Sequence, residues 1–337
     1  MLHQTLVTAG FTSADAVCLF ELTKQGRTNP MSLMLVTRSC TFISPLRKAG
    51  GLCVALVLSS VLFGCRAPAP PVQQSNLGAE LWFPNDSKGQ ELAVAAEFGR
   101  ADDVRRLIKD EAVKPDLIFS KEGLPLLVWP IYAESPAGLK AMLENGASAN
   151  ARFPIPSIEV FKDGSFDVSF KNNAMVWAAK AKDPIYLKLL LDHGGDPNTR
   201  NSNDETLLLQ AFLWGGKWEN IKLLVERGAD VNARSQGSTL LSDYTGRGGF
   251  EQALWLLEHG ADPTMKGVLP PGTPPEQSFA IAEIFWYPSK PGFAQWQKKC
   301  QEWLLARGYK RPPMPDRIRD MRKAFGYPTE EKDIPLL

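Results

Sequence analysis

The chain has 337 residues and a formal net charge of +1, with 22% charged and 44% hydrophobic residues. That length allows a sizeable core, and so even a charge balance argues against a nucleic-acid partner. There is no Cys-x-x-Cys pair, no His-Glu-x-x-His, no P-loop and no Gly-x-Ser-x-Gly turn, so no metal, cofactor or catalytic set is expected.

Residues 1–46 carry little pattern, and Met31 and Met34 are alternative starts of translation. Arg47 and Lys48 precede an apolar run of 12 residues, Leu52–Phe63. A bilayer span needs about 20 such residues, so the run reads as the apolar part of a secretory signal. Leu62-Phe63-Gly64-Cys65 resembles the lipobox of bacterial lipoproteins, which implies cleavage before Cys65 and acylation of its thiol. Arg66 stands where an Asp would imply inner-membrane retention, so the resemblance points to an outer-membrane lipoprotein facing the periplasm. The Pro-rich stretch Arg66–Asn76 then serves as a semi-rigid tether. Four segments are expected: extension and signal 1–64, tether 65–80, folded domain 81–310, and a capping helix with tail 311–337. Of the cysteines, Cys65 and Cys300 would remain after cleavage, the latter as a small core residue.

One phrase then recurs: KAMLENGASANAR from Lys140, KLLLDHGGDPNTR from Lys188, KLLVERGADVNAR from Lys222 and LWLLEHGADPTMK from Leu254. Leucines on one helical face are followed by polar residues and a Gly, the residue that ends a helix in a left-handed conformation. The small residue and the Asp or Asn that come next suit a turn. Upstream of three copies lies a second short helix, at Ala174, Glu205 and Ser238, with Thr206 and Thr239 placed to cap the last two. The anchoring glycines are Gly146, Gly194, Gly228, Gly260 and Gly308, in steps of 48, 34, 32 and 48 residues.

A helix pair plus turn at this period resembles the ankyrin repeat. The resemblance covers about Lys88 to Gly308 and implies an all-α solenoid of five to six helix pairs that binds another protein, monomeric and without cofactor. The two 48-residue steps hold insertions. In the first, 153–173, alternating apolar residues that include Phe166 and Phe170 flank Lys162-Asp163-Gly164 and predict a β-hairpin, either a finger that covers its neighbours or one whose Phe166 and Phe170 bind the partner. The second lies after Pro270 in the sixth unit. Pro130 interrupts the first helix of unit two unless that helix starts late. The basic helix 316–325 is expected to present its charges to solvent as an outer cap.

His193 and His259 precede repeat glycines at equivalent positions, which favours a structural role at a helix C-terminus. The expected binding surface is a groove lined by Trp177, Lys180, Phe212, Trp214, Trp218, Tyr244 and Arg247, joined by Lys182 and Lys217, since aromatic residues and Arg dominate interface hot spots. About half of these aromatics are expected to be exposed. The resemblance extends to ankyrin-type immunity lipoproteins beside type VI secretion effectors, which implies stoichiometric neutralisation of a lipase-like toxin. An envelope scaffold or stress-protection factor is the alternative. An enzyme or lipid-binding pocket in the sixth unit would have to gather Glu283 and Lys290 around Trp286 and Trp296.

Overall fold

The computed structural model describes residues 74–154, 172–265, 279–289 and 292–337, all within the compact unit Pro68–Leu337. The signal, Cys65, most of the tether, and residues 155–171 of the expected hairpin with Phe166 and Phe170 lie outside the described residues.

Six helix pairs succeed one another. The first helices are α2 (Ser87–Glu97), α4 (Trp129–Tyr132), α6 (Ala174–Lys180), α8 (Leu207–Leu213), α10 (Leu240–Thr245) and α12 (Phe279–Trp286). The second helices are α3 (Ala101–Arg105), α5 (Pro136–Glu144), α7 (Ile185–Asp192), α9 (Trp218–Glu226), α11 (Phe250–Glu258) and α13 (Ala294–Ala306). A short α1 (Ala79–Trp82) precedes the stack and α14 (Asp316–Ala324) closes it. Each first helix packs on the next along the series from α2 to α12, and α3, α5 and α7 do likewise among the second helices. Among the described residues there is no strand, only isolated bridges such as that between Arg200 and Thr206.

The leucines of the repeated phrase and the apolar residue just before its first Lys make the core. Leu187, Leu190, Ile221, Leu224 and Leu256 are fully buried, each stabilising the stack by roughly 1.5–3 kcal/mol relative to exposure. Thr206 and Thr239 cap α8 and α10 as expected, accepting from the Leu209 and Ser242 amides at 3.2 and 3.3 Å. Unit two opens with a 3-10 turn, Leu126–Val128, and α4 begins late with Pro130 in its first turn, where the missing amide costs nothing. Close packing also restricts one position on α5: a Cβ at Gly138 would lie 1.8 Å from the Ala96 carbonyl oxygen.

Gly146, Gly194, Gly228, Gly260 and Gly308 all have φ between +80° and +103°. At Gly228 the helix ends in a Schellman arrangement, with Gly228 N donating to the Val225 carbonyl (3.0 Å) and Ala229 N to the Leu224 carbonyl (2.9 Å). No atom lies within 4 Å of a Cβ built there. Glycine is therefore required at this position by dihedral angle, not by packing.

The polar residues after each glycine divide their work. Asp196, Asp230 and Asp262 each accept from the amide two residues on, the local turn expected. The asparagines reach across to the next unit instead. Asn150 donates to Gly194 O and accepts from Asp196 N, both at 2.8 Å. Asn198 does the same with Gly228 O (3.1 Å) and Asp230 N (2.8 Å), and Asn232 with Gly260 O (3.0 Å) and Asp262 N (2.7 Å).

The expectation that the charges of α14 all face solvent is corrected, although the helix does close the stack. Ile318 is fully buried and Arg322 is 6% exposed. Arg322 donates to Trp286 O (2.8 Å) and Pro328 O (2.6 Å), while Arg317 pairs with the fully buried Glu283. The end of the stack leaves carbonyls and a carboxylate that lack a following repeat; Arg322 donates to the carbonyls, and Arg317 pairs with one of the two Glu283 oxygens.

Candidate functional site

The C-terminal ends of the first helices form an aromatic and cationic strip. Tyr132, on α4, is 46% exposed and meets Trp177 of α6 edge-on at 6.5 Å. Lys180 lies three residues further along α6, on the same helical face as Trp177. Its ammonium stands 4.8 Å from the ring centre of Trp214, the C-cap of α8. Trp214 is 53% exposed and its neighbour Leu213 49%. Phe212, partly buried, packs edge-on against Tyr244 of α10 at 4.8 Å, and the Arg247 guanidinium lies 4.6 Å from the centre of the Phe212 ring.

The electrostatics of the two cations differ. Burial lowers the Lys180 ammonium from its ordinary value, partly offset by the charge of Glu205. Glu205 does not pair with it. Asn201 donates to one carboxylate oxygen at 2.6 Å, and the Gln210 and Gln236 amides complete the set. Among the described residues no carboxylate lies within ion-pair distance of Lys180. Arg247 has Asp243 at 3.7 Å, a carboxylate that also accepts from Ser238 Oγ at 3.0 Å. Burial pushes the Asp243 carboxyl up, against smaller opposing effects of Ser238 and Arg247.

Of the five aromatic residues expected in the groove, only Trp214 is exposed, fewer than expected; Trp177, Phe212 and Trp218 are partly buried and Tyr244 is buried. Trp218 starts a second helix and leans on Tyr244 (5.6 Å) and Trp255 (5.3 Å), which gives it a packing role. Lys182 and Arg247 are exposed, Lys180 and Lys217 partly so. Tyr132 and Leu213 belong to the strip and were not expected there. Tyr132 comes at the end of a proline-disrupted helix, and Leu213 reads as one more core leucine.

His193, His259, Cys300 and Glu283 are taken up in structural contacts. His193 and His259 are exposed, and each places Nδ1 at hydrogen-bond distance, 2.8 and 2.7 Å, from the carbonyl four residues back, a helix-end contact. Cys300 is fully buried, its Sγ lies 3.3 Å from the Phe250 carbonyl oxygen, and burial pushes its thiol up to about 12. Among the described residues, the groups that the alternative reading of a sixth-unit pocket would need are not gathered around Trp286. That indole is buried and donates to Pro312 O at 2.8 Å, and Glu283 is occupied by Arg317, while Lys290 lies outside the described residues. Among the described residues no group of three or more His, Cys, Asp or Glu could hold a metal ion, and no helix is long and apolar enough to cross a membrane.

Residues 175–267 match the family described as ankyrin repeats (3 copies). With the stacked pairs and their shared turn chemistry, this makes the described fold an all-α ankyrin-repeat solenoid. Ankyrin repeats are a protein-interaction scaffold and imply a protein partner. Similar solved structures include the ankyrin repeat domain of Bcl-3, a member of the IkappaB protein family, at 20% identity and TM-score 0.46, over 67% of this chain and 88% of that one. Another is EF0377, an ankyrin repeat protein, at 21% identity and TM-score 0.46, over 63% and 96%. No curated protein matches this chain.

Proposed function

We propose that this protein is a membrane-anchored immunity protein of the bacterial envelope, facing the periplasm, which neutralises a lipase-like type VI effector by stoichiometric binding. The observation that carries the capture role is the strip through Tyr132, Lys180, Leu213, Trp214 and Arg247. It presents exposed aromatic and cationic groups on a rigid stack, whereas His193, His259, Glu283 and Cys300 serve the fold. Inhibition by capture needs such a face and no chemistry. The lipobox-like Leu62–Cys65 and the Pro-rich stretch after it support anchoring through Cys65.

The test has two parts. Radiolabelled palmitate enters the wild-type chain and not Cys65→Ser; equal labelling of both removes the anchor. The product of the adjoining toxin gene, mixed with the soluble domain, runs as a 1:1 complex in size exclusion with light scattering and loses its lipase activity. A neighbouring frame that encodes no secreted toxin, or an effector that stays fully active with the domain in excess, removes the immunity role.

A further inference from the structure

On the reading of this chain as a protein-capturing module, the strip also defines the chemistry of what it captures. Lys180 is a half-buried cation, and Glu205, the acid whose charge acts on it, is already held by three side-chain amides. Its ammonium rests on an indole that is itself half exposed. One unit along, Arg247 repeats the arrangement over Phe212, with 60% of its side chain exposed and a single carboxylate at 3.7 Å. Lys182 adds exposed positive charge beside them. Asp183, next to Lys182 in the chain, accepts from the Ile185 amide at 2.9 Å at the start of α7. A cation partly removed from water and left unpaired costs stability that an incoming carboxylate recovers.

We infer that the strip receives an acidic segment with apolar flanks on the partner protein, one carboxylate reaching the Lys180 ammonium, a second reaching Arg247, and an apolar side chain lying across Leu213 and Trp214. The aromatic rings beneath hold both cations in place, so little side-chain freedom is lost on binding. Specificity comes from the paired charges, and the indole supplies the apolar contact.

The probe is a short fluorescein-labelled peptide in which Asp alternates with Phe, compared with its isostere carrying Asn for every Asp, by anisotropy at low salt. The acidic peptide is expected to bind about tenfold more tightly than the amide peptide. Lys180→Gln removes most of that difference and leaves the amide peptide unchanged, and Trp214→Ala weakens both. Equal binding of the two peptides, no binding of the acidic one, or binding indifferent to Lys180→Gln overturns the inference; melting curves of the variants verify that they fold. The same variants tested against the cognate effector separate this inference from the capture reading. An effector held as tightly by Lys180→Gln as by wild type overturns the strip and leaves capture standing. An effector that never binds, with the acidic peptide binding as expected, overturns capture and leaves the strip.

Discussion

The middle repeats and the C-terminal unit close the same kind of helix pair by different chemistry. Between units two and five, the joints are copies: an Asn that bridges to the next Gly carbonyl and Asp amide, placed again at 150, 198 and 232. At the end of the stack every tie is individual. Gln297 and Gln301 donate to Ile284 O at 3.0 and 3.1 Å, Arg322 reaches Trp286 O, and Arg317 neutralises Glu283. An internal repeat finds the same surface on each side, so one side chain repeated suffices; a terminal one must satisfy groups that no copy covers.

The largest effect of this contrast is expected at Arg322. Arg322→Ala leaves the Trp286 carbonyl and its neighbours without a donor in a buried setting, at a cost of about 2–4 kcal/mol. The damage stays at the end: hydrogen exchange accelerates in α12–α14 while the helices between 174 and 258 keep their protection. Uniform loss of protection would show that the cap is not a separate cooperative unit. Next comes Asn198→Ala, which removes two hydrogen bonds between neighbouring units and is expected to cost about 1–2 kcal/mol by urea denaturation. Asn150→Ala and Asn232→Ala should cost similar amounts, since the geometry is the same; widely unequal values would break the comparison.

How legible each region is in the sequence depends on the same division. The glycine positions, the Thr206 and Thr239 caps and the Asp turns are local, so residue type and spacing identify them. The asparagines look equally local, yet their partners lie one unit away, and a single sequence reads them as turn formers. Arg317 and Arg322 sit in a strongly polar helical pattern that predicts solvent exposure. Only the identity of the groups left open by the last helix pair makes one of them buried. The proposed strip is half legible: Lys180 and Trp214 stand out by type, while Tyr132, Leu213 and the packing role of Trp218 depend on where helices start.

A smaller effect concerns pH. Burial raises the Glu283 carboxyl above its ordinary 4.5, and Arg317 only partly offsets this. The folded state then holds the proton more tightly than the unfolded chain. This contribution to stability is complete below the ordinary value and is lost as pH rises through the raised one. Glu283→Gln keeps an acceptor for Arg317 and removes the buried charge, so its melting temperature should exceed that of wild type at neutrality. The gap should narrow as pH falls through the raised value toward 4.5 and change no further from this group below it. A gap that widens on acidification would mean that the ion pair outweighs desolvation at this end.

The smallest effect carries the most information about function. Trp214 is half exposed and Lys180 has no ion-pair partner among the described residues, so Trp214→Ala and Lys180→Gln should each change stability by less than about 0.5 kcal/mol. Trp218→Ala should cost roughly 2–3 kcal/mol, because it takes away the contacts that this ring makes with Tyr244 and Trp255 of the next unit. The two tryptophans stand four residues apart at one helix junction, so the difference isolates the surface role from the packing role. Equal losses at both would place Trp214 in the core and remove the strip's central contact; a silent Trp214 beside a costly Trp218 marks a ring kept at the surface without any gain to the fold.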